Sequence, residues 1–238
     1  MNLDRARFNH LRGFHRFDID STLSRHPLAQ DQLGMRSGLA WVAGLALLGF
    51  AGAYVLSPVA SVLFIMAALL EVVYCRLARV TPLKFLVSGI MVGCGALAGW
   101  TAVTGEIRAL EMAVLFVWMA AWEIGGRNLV NDFADVEEDE RLGIKSVAAV
   151  YGPRLSSLLT LVFVVLAAAS ALALHALARL GSPYLAFAAI GGVYLLIWPG
   201  LKLWQRPSPE QAMAVFNRAS FYPPLMVAGV LFSLYLRF

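Results

Sequence analysis

Seven stretches of this chain are apolar over the length a helix needs to cross a bilayer, and that repetition limits the fold more than any motif does. A spanning helix takes about 20 apolar residues. Stretches near that length lie at 38–56, 58–75, 83–104, 109–131, 154–178, 183–204 and 211–236. Backbone N–H and C=O groups find no water in hydrocarbon, so each stretch must satisfy them internally as a helix. The expected fold class is therefore all-α, a polytopic transmembrane helical bundle of about seven spans. A polar cytoplasmic segment over 1–36 precedes the membrane domain over 37–238. A mean hydropathy of +0.71 exceeds what a soluble core requires. The polar opening residues lack the charged, apolar and small-residue succession of a cleavable signal peptide. Cys75 and Cys94 sit in or beside apolar runs without metal-ligand spacing and read as small hydrophobes.

Basic residues set the expected orientation. Arg5 to Arg36 precede the first span, Arg76, Arg79 and Lys84 follow the second, Arg141, Lys145 and Arg154 follow the fourth, and Lys202 and Arg206 follow the sixth. The alternate connections carry far fewer, such as Arg108 and Arg179. By the positive-inside rule the N-terminus and the 76–84, 132–154 and 202–210 connections are cytoplasmic and the C-terminus lies outside, in a plasma (inner) membrane. The net charge of +4 is then a topology signal, and no nucleic-acid partner is expected.

Against this background one segment is the reverse of its surroundings. Between 132 and 139 five of eight positions are carboxylates, in a chain that is only 14% charged. On a continuous helix, residues three, four and seven apart share a face. Asn128, Asp132, Asp135 and Asp139 would form one polar stripe, with Gly125 a turn deeper on the same side leaving room for a ligand. Like charges that close repel, so the stripe calls for a cation. Oxygen donors favour a hard ion, and Mg²⁺ sharing its shell with a phosphate suits them. Lys145 reads either as a point charge for that phosphate or as one more topology lysine. Glu71 and Tyr74 share the expected cytoplasmic end, Glu71 as a base or a snorkelling side chain. Glu123 points to the opposite face and is expected to pair with another helix.

The run Asn131-Asp132-Phe133-Ala134-Asp135-Val136-Glu137-Glu138-Asp139, followed by Arg141-Leu142-Gly143-Ile144-Lys145-Ser146 and Val150-Tyr151-Gly152, is one match to a known pattern. Others are Tyr74 to Lys84 before a Gly- and Ala-rich span ending in Gly99-Trp100, and Phe216-Asn217-Arg218-Ala219-Ser220. Together they resemble the UbiA superfamily of intramembrane prenyltransferases, the acidic run standing for the second of that family's two Asp-rich motifs. Members carry about nine spans against the seven read here, so the resemblance places the first motif within 9–31. Ser24-Arg25-His26-Pro27-Leu28-Ala29 is similar to the segment after that motif, but Arg12, Gly13 and Arg16 stand where Asn and two Asp are expected. The chain is thus expected to be a truncated or misassigned reading frame, or a divergent member that has lost one metal cluster.

The resemblance implies a membrane prenyltransferase that binds an allylic prenyl diphosphate through Mg²⁺ and passes the prenyl group to an aromatic or other lipophilic acceptor. It implies Asp132, Asp135, Asp139 and Asp20 as metal ligands, the first three being catalytic. Arg127, Asn128, Asn131, Lys145 and Arg25 would meet the diphosphate. The alternative is a catalytically impaired homologue that binds prenyl lipids or a partner protein. With the first motif degenerate, the chain is expected to bind the donor but transfer slowly unless an oligomer or partner supplies the missing spans. A CDP-alcohol phosphotransferase is excluded, because Asp-Gly-x-x-Ala-Arg does not occur. A transporter would place its charges near the midplane rather than at the membrane edge. The topology carries a prediction: a reporter fused after Phe238 that works only outside the cytoplasm will be active, and one inserted in the 132–153 connection will be silent.

Overall fold

The computed structural model describes residues 34–236. Two compact units divide between Gly49 and Phe50. Among the described residues every regular element is helical. Helix α1 (Met35–Leu56) is followed by α2 (Pro58–Leu77), α3 (Lys84–Thr104) and α4 (Ala109–Glu123). A π-helical turn (Ile124–Asn128) carries α4 into α5 (Leu129–Ala134), and α6 (Val136–Leu142), α7 (Val147–Tyr151) and α8 (Pro153–Leu177) follow. Helix α9 (Ser182–Gly191) runs through a second π turn (Gly192–Ile197) into α10 (Trp198–Gln205), and α11 (Pro209–Ser220) and α12 (Tyr222–Tyr235) close the described chain.

The starts and stops follow local chemistry. Ser57, Ser146 and Ser208 cap α2, α7 and α11, each side chain accepting a backbone N–H of the first turn. Pro58, Pro153 and Pro209 occupy opening positions where a missing N–H goes unmissed. At the end of α6, Gly143 takes φ +68, a left-handed conformation that glycine adopts without strain.

Six helical stretches are long and apolar enough to cross a membrane: Met35–Leu56, Pro58–Leu77, Lys84–Thr104, Ala109–Ala134, Pro153–Leu177 and Ser182–Gln205. The expected seventh, 211–236, is two helices broken at Phe221. Pro223 and Pro224 are the cause, since neither has an N–H to return to Ala219 or Ser220 and their rings crowd the preceding turn. The Ala219 carbonyl left over accepts the indole N–H of Trp122 at 2.9 Å.

Helix α8 is central to the second unit and packs on α4, α5, α7, α9 and α10. Its inner face is small: Ala167 and Ala171 are fully buried and Ala168 nearly so, against Trp118, Tyr184, Leu196 and Tyr222. Large apolar residues such as Val162, Val165, Leu172, Ile190 and Leu231 face outward, the surface lipid would cover. Apolar burial gains little between helices already in lipid, so close approach through small residues has to hold them together. Gly125 is one such residue. The sequence expectation that it leaves room for a ligand is incorrect: a Cβ there would lie 2.8 Å from Phe163 Cβ and 2.9 Å from the Thr160 carbonyl oxygen, so Gly125 brings the π turn against α8. Overpacking of this kind costs about 1–3 kcal/mol. Gly125→Ala will lower the thermal unfolding midpoint in detergent, whereas Gly95→Ala, where a Cβ meets nothing within 4 Å, will not.

Candidate functional site

Three connections meet at one end of the bundle. The Lys145 N–H donates to the Ala78 carbonyl at 2.7 Å, tying the α6–α7 turn to the α2–α3 turn. Val130 and Phe133 of α5, Ala148 of α7, Leu203 of α10 and Ala212 and Val215 of α11 are buried together. The basic connections assigned to one membrane face are therefore neighbours in space, with the acidic segment between them.

That segment is not one helix. The π turn at 124–128 inserts extra backbone before the stripe begins. A second break falls at Asp135, whose φ of −98° and ψ of 13° end α5 and open α6. The expected single stripe of Asn128, Asp132, Asp135 and Asp139 is thus corrected to two inward carboxylates flanking a hinge. Asp132 and Asp139 are each 7% exposed. At the hinge, the Asp135 carbonyl accepts the N–H groups of Glu138 and Asp139, both at 2.9 Å. Its carboxylate accepts Asn131 Nδ2 at 3.2 Å, so Asn131 and Asp135 engage each other.

The partner of Asp132 comes from 48 positions earlier. Lys84 Nζ donates to Asp132 Oδ1 at 3.0 Å, with side chains only 6% and 9% exposed. The ammonium also lies 5.6 Å from the centre of the Tyr74 ring. Asn128 Nδ2 donates to the Tyr74 hydroxyl at 3.1 Å. Three buried oxygens around this group lack any hydrogen-bond partner: Asn128 Oδ1, Asp132 Oδ2 and Asp139 Oδ2. Such atoms cost free energy unless water or a ligand satisfies them. Burial pushes the Asp139 carboxyl up to about 6, the like charge of Asp132 adding to it, while Lys84 and the Ser146 hydroxyl pull the other way.

The remaining expected residues are dispersed. Arg127 stacks over the Phe216 ring at 4.0 Å and donates to the Ser220 hydroxyl at 2.7 Å, facing α11. The Lys145 side chain is exposed. Glu123 accepts the Ser88 hydroxyl of α3 at 2.8 Å, the expected pairing with another helix. Asp20 and Arg25 lie outside the described residues. Sequence reasoning passed over Lys84 as a topology lysine. Its signal was its place at the first position of an apolar span, where a lysine can turn inward as well as out to the interface.

Whether these residues suit Mg²⁺ can be judged from their donors. Among the described residues no group of three or more His, Cys, Asp or Glu comes together as a metal site. Two carboxylate oxygens and one amide oxygen are nevertheless unsatisfied, all hard donors. Magnesium commonly takes one or two carboxylates and completes its octahedron with water and substrate phosphate. The group present fits that use.

Comparison with known proteins bears on the family and the fold. A sequence model of the UbiA prenyltransferase family matches residues 15–222. A 4-hydroxybenzoate solanesyltransferase of Synechocystis sp. is 37% identical over 141 residues, 57% of this chain and 47% of that protein. A protoheme IX farnesyltransferase of Pseudomonas putida is 27% identical over 229 residues, 92% of this chain and 74% of its own. A polyprenyl transferase of Aspergillus niger is 33% identical over 105 residues, of which this chain spans 31% of the length. The apo structure of a UbiA homolog from Aeropyrum pernix K1 superposes with a TM-score of 0.74 at 20% identity, over 97% of this chain and 84% of that one. A digeranylgeranylglyceryl phosphate synthase structure gives 0.69 at 23% identity, over 90% and 75%. These structures share the fold.

The raised Asp139 carboxyl yields a prediction about stability. With its folded value near 6 and an ordinary value of 3.8, its contribution is favourable at low pH and is lost as pH rises through about 6. In chelator, Asp139→Asn will therefore be more stable than the parent by about 2–3 kcal/mol at neutral pH, and the gap will close by about pH 4. Unfolding midpoints across that range check it.

Proposed function

The chain belongs to the UbiA prenyltransferase family, and we propose that it moves a prenyl group from an allylic prenyl diphosphate to an aromatic or other lipophilic acceptor. It is an integral membrane protein. One observation carries the reading: buried, unsatisfied oxygens of Asn128, Asp132 and Asp139 beside a buried ammonium, at the end of an apolar bundle where the polar connections gather. Relatives named solanesyl- and farnesyltransferases support the donor class.

In this reading Asp132 and Asp139, with Asp135 at the hinge between them, hold Mg²⁺. Bound there, the ion supplies positive charge that stabilises diphosphate as a leaving group. Asn128, whose side-chain carbonyl is buried without a partner, would accept a hydrogen bond from water held there. Asn131 fixes the Asp135 carboxylate, and Lys145, on an exposed turn, meets an anion arriving from the aqueous side. Arg127 acts from the α11 side, where Phe216 and Ser220 hold its guanidinium. Asp20 remains assigned to the metal and Arg25 to the diphosphate.

The allylic C–O bond breaks with both electrons leaving on the diphosphate. An electron pair of the acceptor then forms the new bond, and the acceptor loses a proton. Phe85, Ile124, Leu129 and Val147 form a buried apolar group, three of them next in sequence to Lys84, Asn128 and Ser146. Such walls keep water from capturing the cation.

The test supplies purified chain with labelled geranylgeranyl diphosphate and a panel of quinone precursors, chlorin alcohols and sugar phosphates, with magnesium and with chelator. Asp132→Asn and Asp139→Asn should each reduce transfer by on the order of a hundredfold, or about 2.7 kcal/mol of barrier. Asp135→Ala should reduce it less, since Asn131 already engages that carboxylate. Undiminished transfer by Asp132→Asn would refute the assignment.

A further inference from the structure

Prenyl transfer ends with a proton lost from the acceptor, and no side chain assigned so far receives it. Glu123 is placed to do so. Along α3, Ser88 follows Lys84 by one turn, about 6 Å of helix axis, and both side chains are buried. Lys84 meets Asp132, and the Ser88 hydroxyl donates to Glu123 Oε1 at 2.8 Å. Glu123 therefore stands about one helical turn deeper in the bundle than the Asp132 carboxylate, along the same face of α3. Its charge is felt at the Tyr74 hydroxyl, which accepts from Asn128, so it borders the same polar group.

An ionisable side chain inside a spanning helix is costly and marks either a partner or a function. Glu123 has no cation in contact: among the described residues the Ser88 hydroxyl is its hydrogen-bond partner. Arg127, the positive charge it feels, is held on Phe216 and Ser220. The side chain is only half-buried, and Oε2 is left to accept from something else. A bracket between α3 and α4 would be served as well by glutamine, whose carbonyl also accepts a serine hydroxyl and carries no charge to bury.

Resting on that prenyl transfer, we propose that Glu123 is the catalytic base that takes the acceptor's proton. A diphosphate at the polar end with its prenyl tail in the apolar bundle puts the allylic carbon at the level between Asp132 and Glu123. The C–O bond breaks with both electrons leaving on the diphosphate, and an electron pair of the acceptor bonds to the allylic carbon. The proton this displaces from the acceptor moves to Glu123 Oε2, and passes to water as product leaves. Ser88, by occupying Oε1, holds the carboxylate in place for the transfer.

The full chain in detergent, with magnesium, labelled geranylgeranyl diphosphate and an acceptor the parent uses, tests this. Glu123→Gln still accepts the Ser88 hydroxyl but takes up no proton, and should slow transfer by about a hundredfold or more. Donor affinity should not change. Ionisation of the donor should continue: a heavy-oxygen label in its bridging position should still scramble into the non-bridging ones. Glu123→Leu, which removes the buried charge, should behave alike and serves where the amide variant does not fold. A carboxylate that only braced the helices would not separate transfer from ionisation. Transfer at the parent's rate by either folded variant overturns the role of Glu123 and leaves prenyl transfer itself standing. Loss of donor affinity and label scrambling along with transfer does the same, as does failure of both variants to fold. No transfer by the parent to any acceptor overturns both.

Discussion

Among the described residues, the fully buried charges Lys84, Asp132 and Asp139 lie at one end of the bundle, and the ion pair between Lys84 and Asp132 ties that end together. It joins the first residue of α3 to α5, elements 48 positions apart in sequence. An isolated charge in hydrocarbon would neutralise or move to the interface; a matched pair can stay. The pair brings with it Tyr74, which faces the ammonium with its ring and takes the Asn128 amide on its hydroxyl. Residues of α2, α3, the π turn and α5 thereby form one polar group. The rest of the bundle can remain apolar because its charge is gathered there.

The apolar part obeys a different rule. Lipid offers a leucine much what another helix offers, so helices associate by packing rather than by leaving water. Gly125 and Gly126 show how far this goes: a Cβ on the first would strike α8, and one on the second would come within 2.8 Å of Ala219 Cβ on α11. Adjacent residues thus face two different helices, in the turn that leads directly to the acidic segment. The same glycines that let the bundle close also fix where Asn128 and Asp132 emerge.

Much of this was legible from the chain alone. Hydropathy and length gave the spans because hydrocarbon forces continuous helices, and the density of carboxylates between 132 and 139 marked the segment in which Asp132 and Asp139 are buried. Two things were not legible. Helical periodicity assumes 3.6 residues per turn, so it could not foresee the π turn or the hinge at Asp135, and it put Asp135 in one row with Asn128, Asp132 and Asp139. Nor could spacing show that Lys84 turns inward, since that depends on a partner brought near by tertiary packing. The paired prolines were visible as a kink. Their consequence, a last segment divided into two short helices, required noticing that the Ala219 carbonyl needed another donor and that Trp122 was near enough to be it.

The two departures from α-helical register are best understood as parts of the site. On an unbroken helix Asp132, Asp135 and Asp139 would stand in one row, each repelling the next and all seeing the same surroundings. The hinge removes the middle carboxylate from that row by pairing it with Asn131. The outer two then point inward from different helices, sharing Lys84 as their common positive charge while each keeps one oxygen unmatched. The repulsion of a straight row is thereby reduced to two carboxylates, each buried with one oxygen unpartnered. The bend at Asp135 thus does for the acidic segment what Gly125 does for the packing: a local break in regular structure places a group where regular structure would not.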